Sequence, residues 1–169
     1  MNTNVKHIVT RTLGSLVAMA LLEPQPAAAE DAKTYPGTMC RPYIGKAAKF
    51  FVGSSNTDPN SGYFITCPVV RDSVNTGINS ASITVVDNSP VENVECELFS
   101  ARPDTITVAS SRRTSSGTNS APQTLQFGSL SAVSGGFYYI TCWIPKAQPA
   151  GSGGFNYSRI VSYRVNEKD

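Results

Sequence analysis

Short segments of alternating apolar and polar residues recur along most of the chain, and clusters of Gly, Pro, Asn and Ser separate them. Alternation with a period of two residues is typical of β-strands that bury one face. From residue 30 onward, no segment carries apolar residues at i, i+3, i+4 and i+7 over three helical turns. The pattern therefore predicts an almost entirely β protein. The predicted strands are 48–53, 62–70, 81–87, 93–101, 104–112, 123–129, 136–144 and 158–166.

The turns between these strands are short and polar, as in Asp58-Pro59-Asn60 and Ser134-Gly135-Gly136. Pro and Gly supply the φ angles that tight turns need, and Asp and Asn side chains bond to the backbone of the turn. Short strands at this spacing, within about 140 residues, are typical of two packed antiparallel sheets. We therefore expect an all-β, two-sheet β-sandwich, either jelly-roll or immunoglobulin-like.

Residues 1–29 have the features of a cleavable export signal. Lys6 and Arg11 provide a basic start, residues 13–22 are apolar, and residues 27–29 are alanines that suit a cleavage site. An apolar run of about ten residues is too short to cross a bilayer, which needs roughly 20. The sequence thus predicts a signal peptide (1–29), a single β-sandwich domain (30–169) without a membrane span, and a secreted or periplasmic location.

Removal of the signal changes the chemistry open to the protein, because it takes away His7, the only histidine of the chain. Mechanisms that need a histidine base or a histidine metal ligand are then excluded. The remaining charges are nearly balanced and the Lys and Arg residues are scattered, unlike the clustered charges of nucleic-acid-binding surfaces. We expect no bound nucleic acid, no metal and no cofactor.

Four cysteines lie in the predicted exported domain, at Cys40, Cys67, Cys96 and Cys142. An even number of cysteines in an exported domain predicts disulfides, and their wide spacing does not match the paired ligands of a zinc site. Four cysteines allow three connectivities. Pairing in sequence order closes the shortest loops, and we favour Cys40 with Cys67 and Cys96 with Cys142.

Strand 136–144 offers the best candidate for binding. If Cys142 faces the core, alternation places Phe137, Tyr139, Thr141 and Trp143 on the opposite face, about 7 Å apart. Exposed aromatic side chains of this kind stack on sugar rings or on partner proteins. We therefore name Trp143, Tyr139 and Phe137 as candidate ligand-binding residues for a polysaccharide or another cell-surface component. The alternative is a central strand that is covered on both faces.

Two weaker candidates involve acidic residues. Glu95 and Glu97 share a strand face about 7 Å apart, near the separation of carboxylates in inverting glycosidases. Glutamates on a solvated strand are more often surface charges, so we expect no enzyme activity. The acidic turns at 58–60 and 87–88 could supply oxygen ligands to Ca²⁺, but such residues more often bond to their own backbone.

Four short elements resemble a pattern of small exported bacterial β-domain proteins. These are residues 35–40 (YPGTMC), 66–72 (TCPVVRD), 127–130 (FGSL) and 163–167 (YRVNE). The resemblance implies export and a compact β-fold, and it carries over neither an activity nor site residues.

Taken with the aromatic strand, these features predict a secreted, non-catalytic binding or surface-structural module. A second hypothesis is self-assembly or partner docking, in which the extended segment 30–43 pairs with the sheet edge of a neighbour.

Overall fold

The computed structural model describes residues 32–43, 47–50, 53–73, 75–151 and 153–168. The predicted signal segment 1–29 lies outside these residues. The described residues form thirteen β-strands and one 3-10 turn at Gly37–Met39. They include no helix of the length and apolarity that crossing a bilayer requires.

The strands are, in chain order, β1 (Ala32–Pro36), β2 (Arg41–Pro42), β3 (Ala47–Phe50), β4 (Gly53–Asn56), β5 (Tyr63–Val69), β6 (Ile78–Asp87), β7 (Glu95–Ala101), β8 (Thr107–Thr114), β9 (Asn119–Phe127), β10 (Phe137–Ile144), β11 (Gln148–Pro149), β12 (Phe155–Asn156) and β13 (Arg159–Glu167). Sheet A has the order β3-β4-β13-β6-β9, with β1 also paired to β13. Sheet B has the order β2-β5-β10-β7-β8, and β11 and β12 form a small separate ribbon.

The path of the chain makes this sandwich a jelly roll. The main strands pass alternately between the sheets, from β4 to β5, β6 and β7, and the last three long strands alternate again. All pairs are antiparallel. Two interleaved sets of strands of this kind are the jelly-roll arrangement. The predicted β-sandwich is therefore confirmed, and the topology is the first of the two predicted types.

The core fills the space between the two sheets and follows the alternation seen in the sequence. On sheet B the inward side chains include Ile65, Leu98 and Ile140, and on sheet A they include Ile83 and Ile160. All five are fully buried. Burying a large aliphatic side chain stabilises a fold by about 1.5–3 kcal/mol, so these facing rows hold the two sheets together.

Seven of the eight predicted strands correspond to observed strands, with ends that differ by a few residues. The prediction of a single strand at 48–53 is wrong, because Phe50 of β3 lies opposite Gly53 of β4 in an antiparallel pair. A Cβ atom at Gly53 would lie 2.4 Å from the carbonyl oxygen of Ile160. Glycine at this position thus marks the close approach of β4 to β13.

The two disulfides have the predicted connectivity, Cys40–Cys67 and Cys96–Cys142. Cys96 and Cys142 lie directly opposite each other on β7 and β10. Cys40 immediately precedes β2 and is bonded to β5. Each disulfide therefore joins neighbouring strands of sheet B, and all four cysteines are fully buried.

Segment 30–43, the candidate for pairing with a neighbouring molecule, is described from residue 32, and its strands pair within the chain. Within it, β1 pairs with β13 of the same chain along five residues, and β2 pairs with β5. Tyr35 of β1 stacks on Tyr163 with 5.0 Å between the ring centroids, and its hydroxyl donates to the carbonyl of Val70. These strands are therefore built into their own sandwich.

Candidate functional site

The candidate site is the outer face of sheet B, where β10 is the central strand. Tyr138, Ile140, Cys142 and Ile144 point into the core and are buried. The intervening side chains point outward, as the alternation predicts, and Phe137 is 42% exposed. The register with β5 and β7 arranges the outward side chains in rows across the sheet. Neighbouring rows of this face differ in their chemistry.

An aromatic cluster, formed by Phe99, Phe137 and Tyr139, lies at one end of this face. The rings of Phe99 and Tyr139 are 5.0 Å apart between centroids and inclined by 16°, and those of Phe137 and Tyr139 are 5.9 Å apart and inclined by 28°. Tyr139 lies directly opposite Phe99 in the register of β10 with β7. Sequence analysis did not name Phe99 as a candidate, although the alternation of β7 turns it outward.

A polar row crosses the sheet next to the aromatic cluster. Thr141 lies between Thr66 and Glu97, and the register adds Arg41 beyond Thr66 and Arg112 beyond Glu97. The hydroxyl oxygens of Thr66 and Thr141 are 3.3 Å apart. This row offers hydroxyl, guanidinium and carboxylate groups to anything that lies on the face.

The third row, on the other side of the polar row, is again aromatic. Trp143 lies between Phe64 and Glu95 in the register, and its ring meets that of Phe64 edge-on at 5.1 Å. Trp143 also covers Gly62, where a Cβ atom would lie 2.1 Å from Cζ2 of the indole ring. The indole is thus partly buried and supports Phe64.

An open groove of about 940 Å³ runs over these rows. Its lining includes the rings of Tyr43, Phe64, Phe99, Phe137 and Tyr139, together with Thr66, Thr105, Thr141 and Arg41. Phe137 and Tyr139, two of the three candidate ligand-binding residues, therefore belong to the groove, whereas the lining does not include Trp143. Sequence analysis missed Tyr43 and Arg41, which reach the groove from the short edge strand β2 or just after it.

Glu95 and Glu97 do not have the features of a catalytic acid pair. The guanidinium of Arg112 pairs with both carboxylates, at 3.1 Å from Glu95 and 2.8 Å from Glu97. Partial burial alone would raise the pKa of Glu97. The hydrogen bonds from Ser110 and Arg112 and the charge of Arg112 outweigh it and hold that pKa below its ordinary value. A general acid in glycoside hydrolysis needs the opposite shift.

The two acidic turns proposed as calcium ligands are occupied by hydrogen-bond donors. Each oxygen of the buried Asp87 carboxylate accepts hydrogen bonds from backbone N–H groups and serine hydroxyls, at Ser89, Val94, Ser115 and Ser158. Asp58 accepts the backbone N–H of Asn60 at 2.8 Å. These are turn and loop anchors, and the described residues contain no group of three or more potential metal-ligating side chains.

The outer face of sheet A differs from that of sheet B because it is polar. A pocket of about 190 Å³ lies there, lined by serines together with Gln126, Arg164 and Asn166. Arg164 is exposed and lies opposite Ser82. Aromatic groups and a large groove therefore coincide on sheet B.

The chain matches no family model and no curated protein sequence. Among solved structures it is similar to a low-affinity xylan-binding module from Roseburia intestinalis, with 10% identity, 81% of this chain and 96% of that chain covered, and a TM-score of 0.46. A family 6 carbohydrate-binding module is also similar, with 12% identity, 80% of this chain and 94% of that chain covered, and a TM-score of 0.43.

A family two carbohydrate esterase from Cellvibrio japonicus gives 6% identity and a TM-score of 0.46. That similarity covers 81% of this chain and 34% of the esterase, so the chain spans about a third of the enzyme's length. These are likenesses of strand arrangement and assign no activity to the chain.

Proposed function

We propose that the protein is a non-catalytic glycan-binding module and that the groove on sheet B is its binding surface. The observation that carries the proposal is the combination of near-parallel rings at Phe99, Tyr139 and Phe137 with a row of hydroxyl and guanidinium groups beside them. A sugar ring has an apolar face of C–H groups and a rim of hydroxyls. Binding sites that suit such ligands combine aromatic walls with a few polar groups that fix orientation.

The spacing of the rows supports an extended ligand. Successive outward residues of a strand lie about 7 Å apart, so the ring of Tyr139 and the row of Phe64 are separated by roughly twice that distance. The polar row lies between them. A single small sugar cannot contact both aromatic ends, and an oligosaccharide of several units can.

The proposed place of action is outside the cytoplasm. Two buried disulfides are typical of proteins from oxidising compartments. The basic, apolar and small-residue pattern of residues 1–29 also predicts an export signal. A location in the periplasm or outside the cell would bring the groove into contact with wall and matrix polysaccharides.

The proposal can be tested by affinity electrophoresis of residues 30–169, with disulfides formed, through gels that contain different polysaccharides. We expect at least one polysaccharide to retard the wild type. Phe137→Ala or Tyr139→Ala should weaken that retardation by about tenfold in affinity, because stacked aromatic side chains dominate such contacts.

Phe155→Ala is the matched control. Phe155 is 45% exposed and Phe137 is 42% exposed, but Phe155 lies on β12, away from the groove. The control variant should migrate like the wild type. If the groove variants are retarded as strongly as the control, or if no polysaccharide retards the wild type, the proposed function is wrong.

A further inference from the structure

Arg41 is the one charged residue among those that line the groove. No carboxylate or carbonyl group among the described residues pairs with its guanidinium. Arg112 pairs with the acidic residues of the same face, Glu95 and Glu97 of β7, at 3.1 and 2.8 Å, and none of these three residues lines the groove. The groove therefore carries a positive charge without a counter-charge inside it.

Resting on the proposed function, we infer that the groove binds an acidic glycan and that Arg41 contacts the carboxylate of a uronate unit. A guanidinium presents two parallel N–H donors that match the two oxygens of a carboxylate. Neighbouring sugar units of the same chain would lie on the rings of Tyr139 and Phe99. The charge thus selects the ligand class, and the rings supply the contact area.

The backbone around Arg41 is held on both sides, which defines the point from which its side chain reaches the groove. The preceding residue, Cys40, is bonded to Cys67 of β5. On the other side, the backbone N–H of Tyr43 donates to the carbonyl of Phe64 at 2.8 Å. A donor attached to a fixed strand loses less conformational entropy on binding than one on a free loop.

The polar row gives the carboxylate further partners. Arg41 lies opposite Thr66, and Thr66 lies opposite Thr141. The two threonines therefore follow Arg41 in one row that crosses the sheet from β2 to the central strand β10. A uronate ring placed along this row could direct its carboxylate to Arg41 and its ring hydroxyls to the two threonines.

The test compares acidic polysaccharides with the same polymers after methyl esterification, which removes the charge and keeps the sugar chain. The probes are polygalacturonate, alginate and hyaluronate, each in both forms, with binding measured by calorimetry at physiological salt. We expect the wild type to bind at least one acidic form about tenfold more tightly than its ester, the size of effect that a charged hydrogen bond gives.

Arg41→Gln should bind the acidic form and its ester equally, and Arg41→Lys should fall between this variant and the wild type. Arg164→Gln is the control, because it makes the same change in net charge on the outer face of sheet A. It should keep the wild-type preference for the acidic form.

The outcomes separate the two proposals. If the esters bind as tightly as the acidic forms, or if Arg164→Gln reduces the preference as much as Arg41→Gln, the inference about Arg41 is overturned while glycan binding by the groove stands. If neither form of any probe binds and neutral polysaccharides do, the inference is also overturned. If no polysaccharide binds at all, the proposed function fails and the inference fails with it.

Discussion

At the scale of single residues, the environment of Trp143 explains why an aromatic side chain on an outer face does not line the groove. Its ring rests on Gly62, a contact that only a residue without a side chain permits. Phe64 then stands against the indole and extends into the groove, where it is 43% exposed. The tryptophan acts on the groove through Phe64.

We expect Gly62→Ala to displace the indole ring and to lower the free energy of unfolding by about 1–3 kcal/mol, the usual cost of an overpacked contact. Since Trp143 is the only tryptophan, its fluorescence should shift to longer wavelength. Gly128→Ala is the control, because no atom lies within 4 Å of a Cβ built there. Unchanged fluorescence and stability in Gly62→Ala would contradict this account of the contact.

At the scale of strands, alternation was sufficient to predict the long elements but not the short ones. In β10 and β7 the buried and outward residues alternate along the strand, so the inward position of Cys96 and Cys142 could be predicted. The strand β2 has two residues, too few to show a period. Arg41 and Tyr43 line the groove because β2 lies beside β5. Alternation could not predict this, since it depends on the disulfide that joins Cys40 to Cys67 of β5.

The two disulfides should differ in their effect on β2. This strand pairs with β5 through two residues, whereas β7 and β10 pair through seven. Replacing both Cys40 and Cys67 by Ala should accelerate hydrogen exchange of the Tyr43 amide, which donates to Phe64. Replacing Cys96 and Cys142 should leave that amide protected, although either change should cost about 2–4 kcal/mol of stability. Equal exchange at Tyr43 in the two double variants would contradict the anchoring role of Cys40–Cys67.

At the scale of the whole molecule, Glu167 connects elements that are distant in sequence. Its carboxylate accepts hydrogen bonds from Lys33 of β1 and from the backbone N–H groups of Asp72 and Ser73, which follow β5. Burial alone would raise the pKa of Glu167, but these hydrogen bonds and the charge of Lys33 outweigh it and hold the pKa below its ordinary value. The ionised form therefore stabilises the fold.

The sign of the pH dependence follows from that shift. The stabilisation is complete above the pKa that Glu167 has in the unfolded chain, and it is lost as the pH falls through the lower pKa of the folded state. Glu167→Gln should lower the melting temperature at neutral pH and flatten its decline between about pH 5 and pH 3. The exposed residue Glu92 provides the control, Glu92→Gln. Parallel pH profiles for the wild type and Glu167→Gln would refute the assignment.

The pairing of β1 with β13 also determines how the domain responds to mechanical force. Ala32 lies opposite Asn166, so the two ends of the described chain lie side by side at the same end of this strand pair. The hydrogen bonds of an antiparallel pair are perpendicular to its strands, and tension between the two ends would load them one pair at a time. The molecule would peel open under small forces, with both disulfides outside the loaded strands. Such a domain is suited to attachment at one end, and it is poorly suited to bear load between two anchors.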